Sequence, residues 1–135
     1  MKELTVPATI ENIETVTDFV NGQLEDADCP MKTQMQFDVA IDELFSNIAH
    51  YAYAPETGFA TVQVNLVKDP PGAVVTFVDN GRPYDPLAKE DPDASLAVHD
   101  RPTGGLGIFL VKKIMDDVSY EYKEGHNILR IFKKF

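Results

Sequence analysis

The chain is poor in cysteine and in positive charge. Its 135 residues hold one cysteine, Cys29, so no internal disulfide can form. That fits a reducing compartment. The neighbours of Cys29, Asp28 and Pro30, bring no cation that would stabilise a thiolate, so it reads as a packing residue rather than a nucleophile. Lys and Arg total 12 against 22 Asp and Glu, a net charge of −10. A phosphate-backbone binder needs clustered positive charge, so nucleic acid is excluded as the expected partner. The same balance disfavours an anionic membrane surface and steers partners with a basic face toward the chain. The N-terminal MKELTVPATIENIE lacks the apolar segment of a secretory signal, and no run approaches the roughly 18 apolar residues of a membrane span. A cytoplasmic protein is expected.

What is present is ordinary globular material. Hydrophobic residues make up 44% and charged residues 25%, and the length suits one domain over 1–135 with a substantial core. Leu4 to Val6 form a short β-like stretch. Ile10, Ile13, Val16, Val20 and Leu24 recur at helical spacing, with the last turn put in question by Asn21-Gly22. Residues 25–31 read as a loop. Over residues 32–53, Phe37, Ala40, Ile41, Leu44, Phe45 and Ile48 predict a second helix, stopped by Pro55 and Gly58. Residues 60–67 alternate as a half-buried strand, with Val62, Val64 and Leu66 on one face, and 73–79 follow as its hairpin partner after a DPPG turn. Residues 106–116 predict a third helix with Leu106, Phe109, Leu110 and Ile114 on a stripe. Strands over 118–123 and 127–133 close the chain around Glu124-Gly125-His126. The pattern is α+β, a two-layer sandwich.

Three clusters could carry chemistry. On the second helix, Glu43 and Asn47 are one turn apart and share a face at the edge of the apolar stripe. A carboxylate and an amide placed so could share a hydrated Mg²⁺, which takes few protein ligands, or simply line a solvated face. Asp79-Asn80-Gly81 ends a strand. It reads either as turn chemistry or as an acceptor for a ligand amine, with Gly81 allowing close backbone approach to a flat ring. Thr103-Gly104-Gly105-Leu106-Gly107 opens the third helix, where freed N–H groups and the helix dipole favour an anion, and where a flexible hinge is an equal reading. It is neither a Walker nor a Rossmann loop. Between the last two clusters, residues 80–103 form a long, acidic, proline-containing segment without clear periodicity, the kind of loop that is usually functional or mobile.

The order of these clusters resembles the GHKL ATP-binding superfamily, and within it the anti-sigma-factor serine/threonine kinase branch. The stretches that carry the likeness are DELFSNIAHYAY, VTFVDNGRPYDP and TGGLGIFLVKKIMDDVSYEY. The resemblance implies a Bergerat-type fold, a mixed and mostly antiparallel sheet with helices packed on one face. It implies ATP and Mg²⁺ as cofactors, with Asn47 the metal ligand and Glu43 the general base. It implies that Asp79 and Gly81 meet adenine, that Thr103, Gly104, Gly105, Leu106 and Gly107 face the phosphates, and that residues 86–103 form a lid. Pro83 stands where many relatives have a second glycine. Tyr51 stands where the branch often has histidine, and His50, one place early, receives no catalytic role. Arg101 lies near, but not on, the position of a phosphate-touching arginine. The implied partners are a small antagonist protein phosphorylated on serine or threonine and a sigma factor held inactive, with a homodimer plausible from the branch. The alternative function is a nucleotide-dependent binding module that transfers no phosphate.

Overall fold

A computed structural model describes residues 1–88 and 106–135, with Leu106 described in its backbone alone. Strand β1 spans Lys2–Pro7. After a short 3-10 turn at Ile10–Asn12 come helices α1, Ile13–Asp26, and α2, Met31–Asn47. A wider, π-type turn at Ile48–Ala52 extends α2. Strands β2, Phe59–Lys68, and β3, Pro71–Asp79, follow. A 3-10 turn at Pro86–Ala88, helix α3, Leu106–Ile114, and strands β4, Asp117–Lys123, and β5, His126–Lys134, complete the order.

The sheet runs β1-β2-β3-β5-β4. Expected to be mixed and mostly antiparallel, it is antiparallel at each of its four pairings. The alternation read in the strands sorts the residues by face. Val62 and Val64 of β2, Val75 and Phe77 of β3, and Ile131 of β5 are buried. Against them lie Val16, Val20 and Leu24 of α1, and Phe37, Ile41, Leu44 and Phe45 of α2, all in one apolar cluster. The β4–β5 connection is a two-residue turn. Glu124 and Gly125 both have positive φ, 53° and 81°, and Lys123 pairs with His126. Such a turn matches the twist of the strands it joins.

Several details depart from the expected elements; Ile10, read into the first helical stripe, lies in the 3-10 turn ahead of α1 and is 45% exposed. Helix α1 continues through Asn21-Gly22 to Asp26, because Val20 and Leu24 on either side of the glycine are both fully buried, and that packing outweighs its propensity cost. The pairing of β3 begins at Pro71, so the turn before it is shorter than DPPG. The stripe expected on α3 is out of phase. Ile108, Val111 and Met115 are buried, whereas Leu110 is 46% exposed. A helix reading LGIFLVKKI is apolar almost all round, so periodicity alone does not orient it. Among the described residues no helix is long and apolar enough to cross a membrane.

Candidate functional site

The end of β3 is pinned from two sides. Asp79 is 5% exposed, and its Oδ1 accepts the Gly81 N–H at 2.9 Å and the Asn127 Nδ2–H at 2.9 Å. The first bond is the turn chemistry that Asp-x-Gly suggests. The described residues offer Oδ2 no hydrogen bond. The two readings of Asp79 are therefore compatible, since one oxygen makes the turn and the other is left as an acceptor.

The π-type turn supplies the opposite wall. Ala52 is the last residue of this turn, so its carbonyl has no partner further along the helix. The Ala52 carbonyl accepts the Arg82 N–H at 3.0 Å, and the Arg82 guanidinium donates to the Ala54 carbonyl. Gly81 lies so close to Ala52 that a Cβ there would stand 2.6 Å from the Ala52 carbonyl carbon and 2.7 Å from its Cβ. Only glycine permits this approach. Tyr53 adds a third tie, its hydroxyl donating to the Phe59 carbonyl at 2.6 Å and accepting the Asn80 N–H at 2.8 Å. Burial is the main influence holding the Tyr53 hydroxyl above its ordinary pKa, so it stays a donor at neutral pH.

Between these walls lies a cleft with about 450 Å³ of empty space, part of it open to solvent. Its apolar sides come from Leu44 and Ile48 on α2 and its extension, and from Phe77 and Leu129 on the sheet. Asp79, Asn127 and Asn47 bring polar groups to it. Tyr51 and Tyr84 also line it, with ring centroids 6.2 Å apart. Few polar groups on an apolar wall is the usual make-up of a small-molecule site.

Glu43 and Asn47 are both half-buried, at the boundary between core and solvent as their spacing suggests. Asn47 reaches the cleft. Glu43 instead faces α3, where a Cβ on Gly107 would overlap its carboxylate. The structure thus brings Asn47 and Asp79 to one cleft, holds Gly81 beside Asp79 and against Ala52, and sets Glu43 against the first turn of α3. Leu106 opens that turn. Thr103, Gly104, Gly105, Arg101 and the greater part of the expected 86–103 lid lie outside the described residues. His50 is exposed and its ring lies 6.0 Å from that of Tyr51.

Among the described residues no three His, Cys, Asp or Glu side chains gather as a metal site. One amide oxygen from Asn47 nonetheless suits Mg²⁺, which keeps water and phosphate oxygens for most of its shell. Cys29 is buried, with burial raising its thiol above the ordinary value, consistent with a packing role. Met115-Asp116, part of the most specific stretch of the sequence, serves the fold. Met115 is buried, and Asp116 accepts the Lys134 N–H at 2.7 Å.

Asn127, Tyr84 and Tyr120 of the cleft were not evident from the sequence. Asn127 carried one signal: an asparagine, uncommon in strands, in phase with inward-facing Leu129 and Ile131.

The family described as histidine kinase-like ATPase domain matches residues 6–133. Serine-protein kinase RsbW of Halalkalibacterium halodurans is 30% identical over 137 residues, covering 98% of this chain and 82% of that protein. Serine-protein kinase RsbW of Bacillus cereus strain B4264 is 27% identical over 131 residues, covering 94% and 81%. Among solved structures, histidine kinase AdeS of Acinetobacter baumannii matches with a TM-score of 0.52 at 15% identity, over 99% of this chain and 68% of that one, a likeness of fold.

Proposed function

Because the chain belongs to the histidine kinase-like ATPase domain family, we propose that it is an ATP-dependent protein serine/threonine kinase of the anti-sigma-factor type. Its substrate is a hydroxyl on a small antagonist protein, and a sigma factor is the second protein it holds. We place it in the cytoplasm, as a single domain able to pair with a second copy. The similarity to serine-protein kinases named RsbW over most of both chains supports the choice of substrate class.

The observation that carries the reading is the division of labour at Asp79. Its Oδ1 is saturated by Gly81 and Asn127, and it borders an apolar cleft with no bond to Oδ2 from the described residues. An acceptor in that setting suits the exocyclic amine of adenine, with the ring between Ile48 and the sheet residues Phe77 and Leu129. Asn47 would hold Mg²⁺ together with the phosphates. The metal would neutralise charge on the transferring group, and the first turn of α3 would face the phosphates with its N–H groups.

Glu43 is the side chain for the remaining task. Phosphoryl transfer relies chiefly on positioning and charge neutralisation, so the protein need only accept the proton of the attacking hydroxyl. Glu43 stands one helical turn from Asn47 and against α3, between the proposed metal ligand and the proposed phosphate-facing turn.

Thermal unfolding with and without nucleotide tests the reading. Mg-ATP at 100 times its Kd should raise stability by about 2.7 kcal/mol. Mg-GTP at the same concentration should do much less. Equal stabilisation by both would overturn the adenine assignment. ATP binding without transfer to any candidate antagonist would favour the binding module over the kinase.

A further inference from the structure

Asn127 lies directly across from Asp79 in the β3–β5 register and is 7% exposed. A buried amide offers two donor hydrogens and two acceptor lone pairs. Here all four are engaged. Nδ2 donates to Asp79 Oδ1 at 2.9 Å and to the Arg82 carbonyl at 2.9 Å, with the Gly81 carbonyl further off at 3.4 Å. Oδ1 accepts the Tyr84 N–H at 3.2 Å and the Tyr120 hydroxyl.

The network fixes which way the amide points. Rotated by half a turn, the amide would set its oxygen against a carboxylate oxygen and two carbonyls, and its NH₂ against a backbone N–H. With every group taken, Asn127 has nothing left to offer a ligand. Its action must pass through Asp79.

We infer that Asn127 is a positioning residue that sets the base selectivity of the cleft by locking the Asp79 carboxylate with Oδ2 toward the ligand. The inference rests on the reading of Asp79 as the acceptor for a base amine. An aspartate's terminal torsion is broad and roughly two-fold, so a carboxylate held by one donor can exchange its oxygens or tilt. Two donors, Gly81 N–H and Asn127 Nδ2–H, converge on Oδ1 and define the plane. The oxygen left over can accept but not donate while the carboxylate is ionised. Such a group takes an amine and leaves the oxygen of an oxo-purine unpaired against it. Asn127 is also the only described side chain that bonds at once to Asp79 and to the 81–84 backbone, so it holds the acceptor and the neighbouring wall of the cleft in one frame.

The test compares ATP with purine riboside triphosphate, which carries hydrogen in place of the amine, by calorimetric titration of the whole chain. Four proteins are compared: wild type, Asp79→Asn, Asn127→Ser and Asn127→Asp. Wild type should prefer ATP. In Asn127→Ser the preference should fall by about tenfold, the value of one hydrogen bond to a charged group, while the Kd of the amine-free analogue moves less than about threefold. Asn127→Asp replaces the donor with a second carboxylate and should lose at least as much preference. If the Asn127 variants weaken both nucleotides equally, Asn127 merely braces the loop and the inference is overturned. The Asp79→Asn arm separates the two levels. If it keeps the wild-type preference, the amine-acceptor reading itself fails. If it loses the preference and the Asn127 variants do not, only the role of Asn127 fails. Should both Asn127 variants fail to fold, the wild-type side-chain amide signals of Asn127 decide by NMR. They should shift on adding ATP and much less on adding the analogue, and equal shifts, or none with ATP, overturn the inference.

Discussion

The Glu43 carboxylate rests against the Cα of Gly107, where any larger residue on α3 would overlap it. This contact joins the long helix to the short one at the point where the two sequence clusters meet. It accompanies the phase of α3, in which Gly107 faces Glu43 of α2 while Ile108, Val111 and Met115 are buried in the core.

Gly107→Ala separates position from fold. The clash falls on the free end of a flexible side chain, which can swing away. Alanine also gains helix propensity over glycine, roughly 0.5–1 kcal/mol. The variant should therefore melt at or slightly above the wild-type temperature while transferring phosphate at least tenfold more slowly. Differential scanning calorimetry and a transfer assay check the pair. Loss of both stability and activity would show a structural glycine instead.

Gly81→Ala should behave in the opposite way. Its added Cβ would meet backbone, the Ala52 carbonyl, which cannot swing aside. Forcing a methyl into such a contact costs about 1–3 kcal/mol. Chemical denaturation should show that loss in the absence of nucleotide. An unchanged midpoint would mean that the 81–82 segment is free to move off the π-type turn.

The contrast between these two glycines shows how far the sequence could be read. Its order of clusters, and the apolar periods of α1, α2 and the strands, were legible because each rests on local spacing. The boundary position of Glu43 and Asn47 followed from the same spacing. The phase of α3 was not legible, because nearly every residue of that helix is apolar and tertiary packing selects Ile108, Val111 and Met115 for the core. Nor was Asn127. Its meaning depends on lying opposite Asp79, 48 residues away in sequence, which is a property of strand register. The π-type turn escaped too. IAHYA fits an ordinary helix, and its side-chain spacing carries nothing that separates i→i+5 from i→i+4 bonding.

Asn47→Ala should leave the fold intact, since the residue is half-buried and ends its helix. If Asn47 holds the metal, affinity for ATP in the presence of Mg²⁺ should fall by at least tenfold and approach that measured with EDTA. Titration calorimetry in both buffers reads this directly. A variant that keeps the full Mg²⁺ dependence removes Asn47 from the metal site.

Asp116 gives the fold a pH dependence. The Lys134 N–H is the first cause holding its carboxyl below the ordinary value, with the nearby charge of Lys133 assisting. A carboxyl with a depressed folded-state pKa contributes stability that is complete above its unfolded value of 3.8 and is lost as pH falls through the lower folded value. Asp116→Asn should cost about 0.5–1 kcal/mol at neutral pH, discounted because the group is partly solvated. The difference from wild type should shrink as pH drops below the ordinary carboxylate range. A pH-independent difference would assign the effect to packing.

The most direct test of the account is Glu43→Gln, a change that keeps size and polarity and removes the proton acceptor. Single-turnover transfer from labelled ATP to a serine-bearing antagonist should fall by about 10²–10⁴-fold, the usual contribution of a positioned base. The Kd for Mg-ATP, set by Asn47, Asp79 and the cleft, should change by less than about threefold. Transfer at the wild-type rate would contradict the assignment of Glu43 as the base.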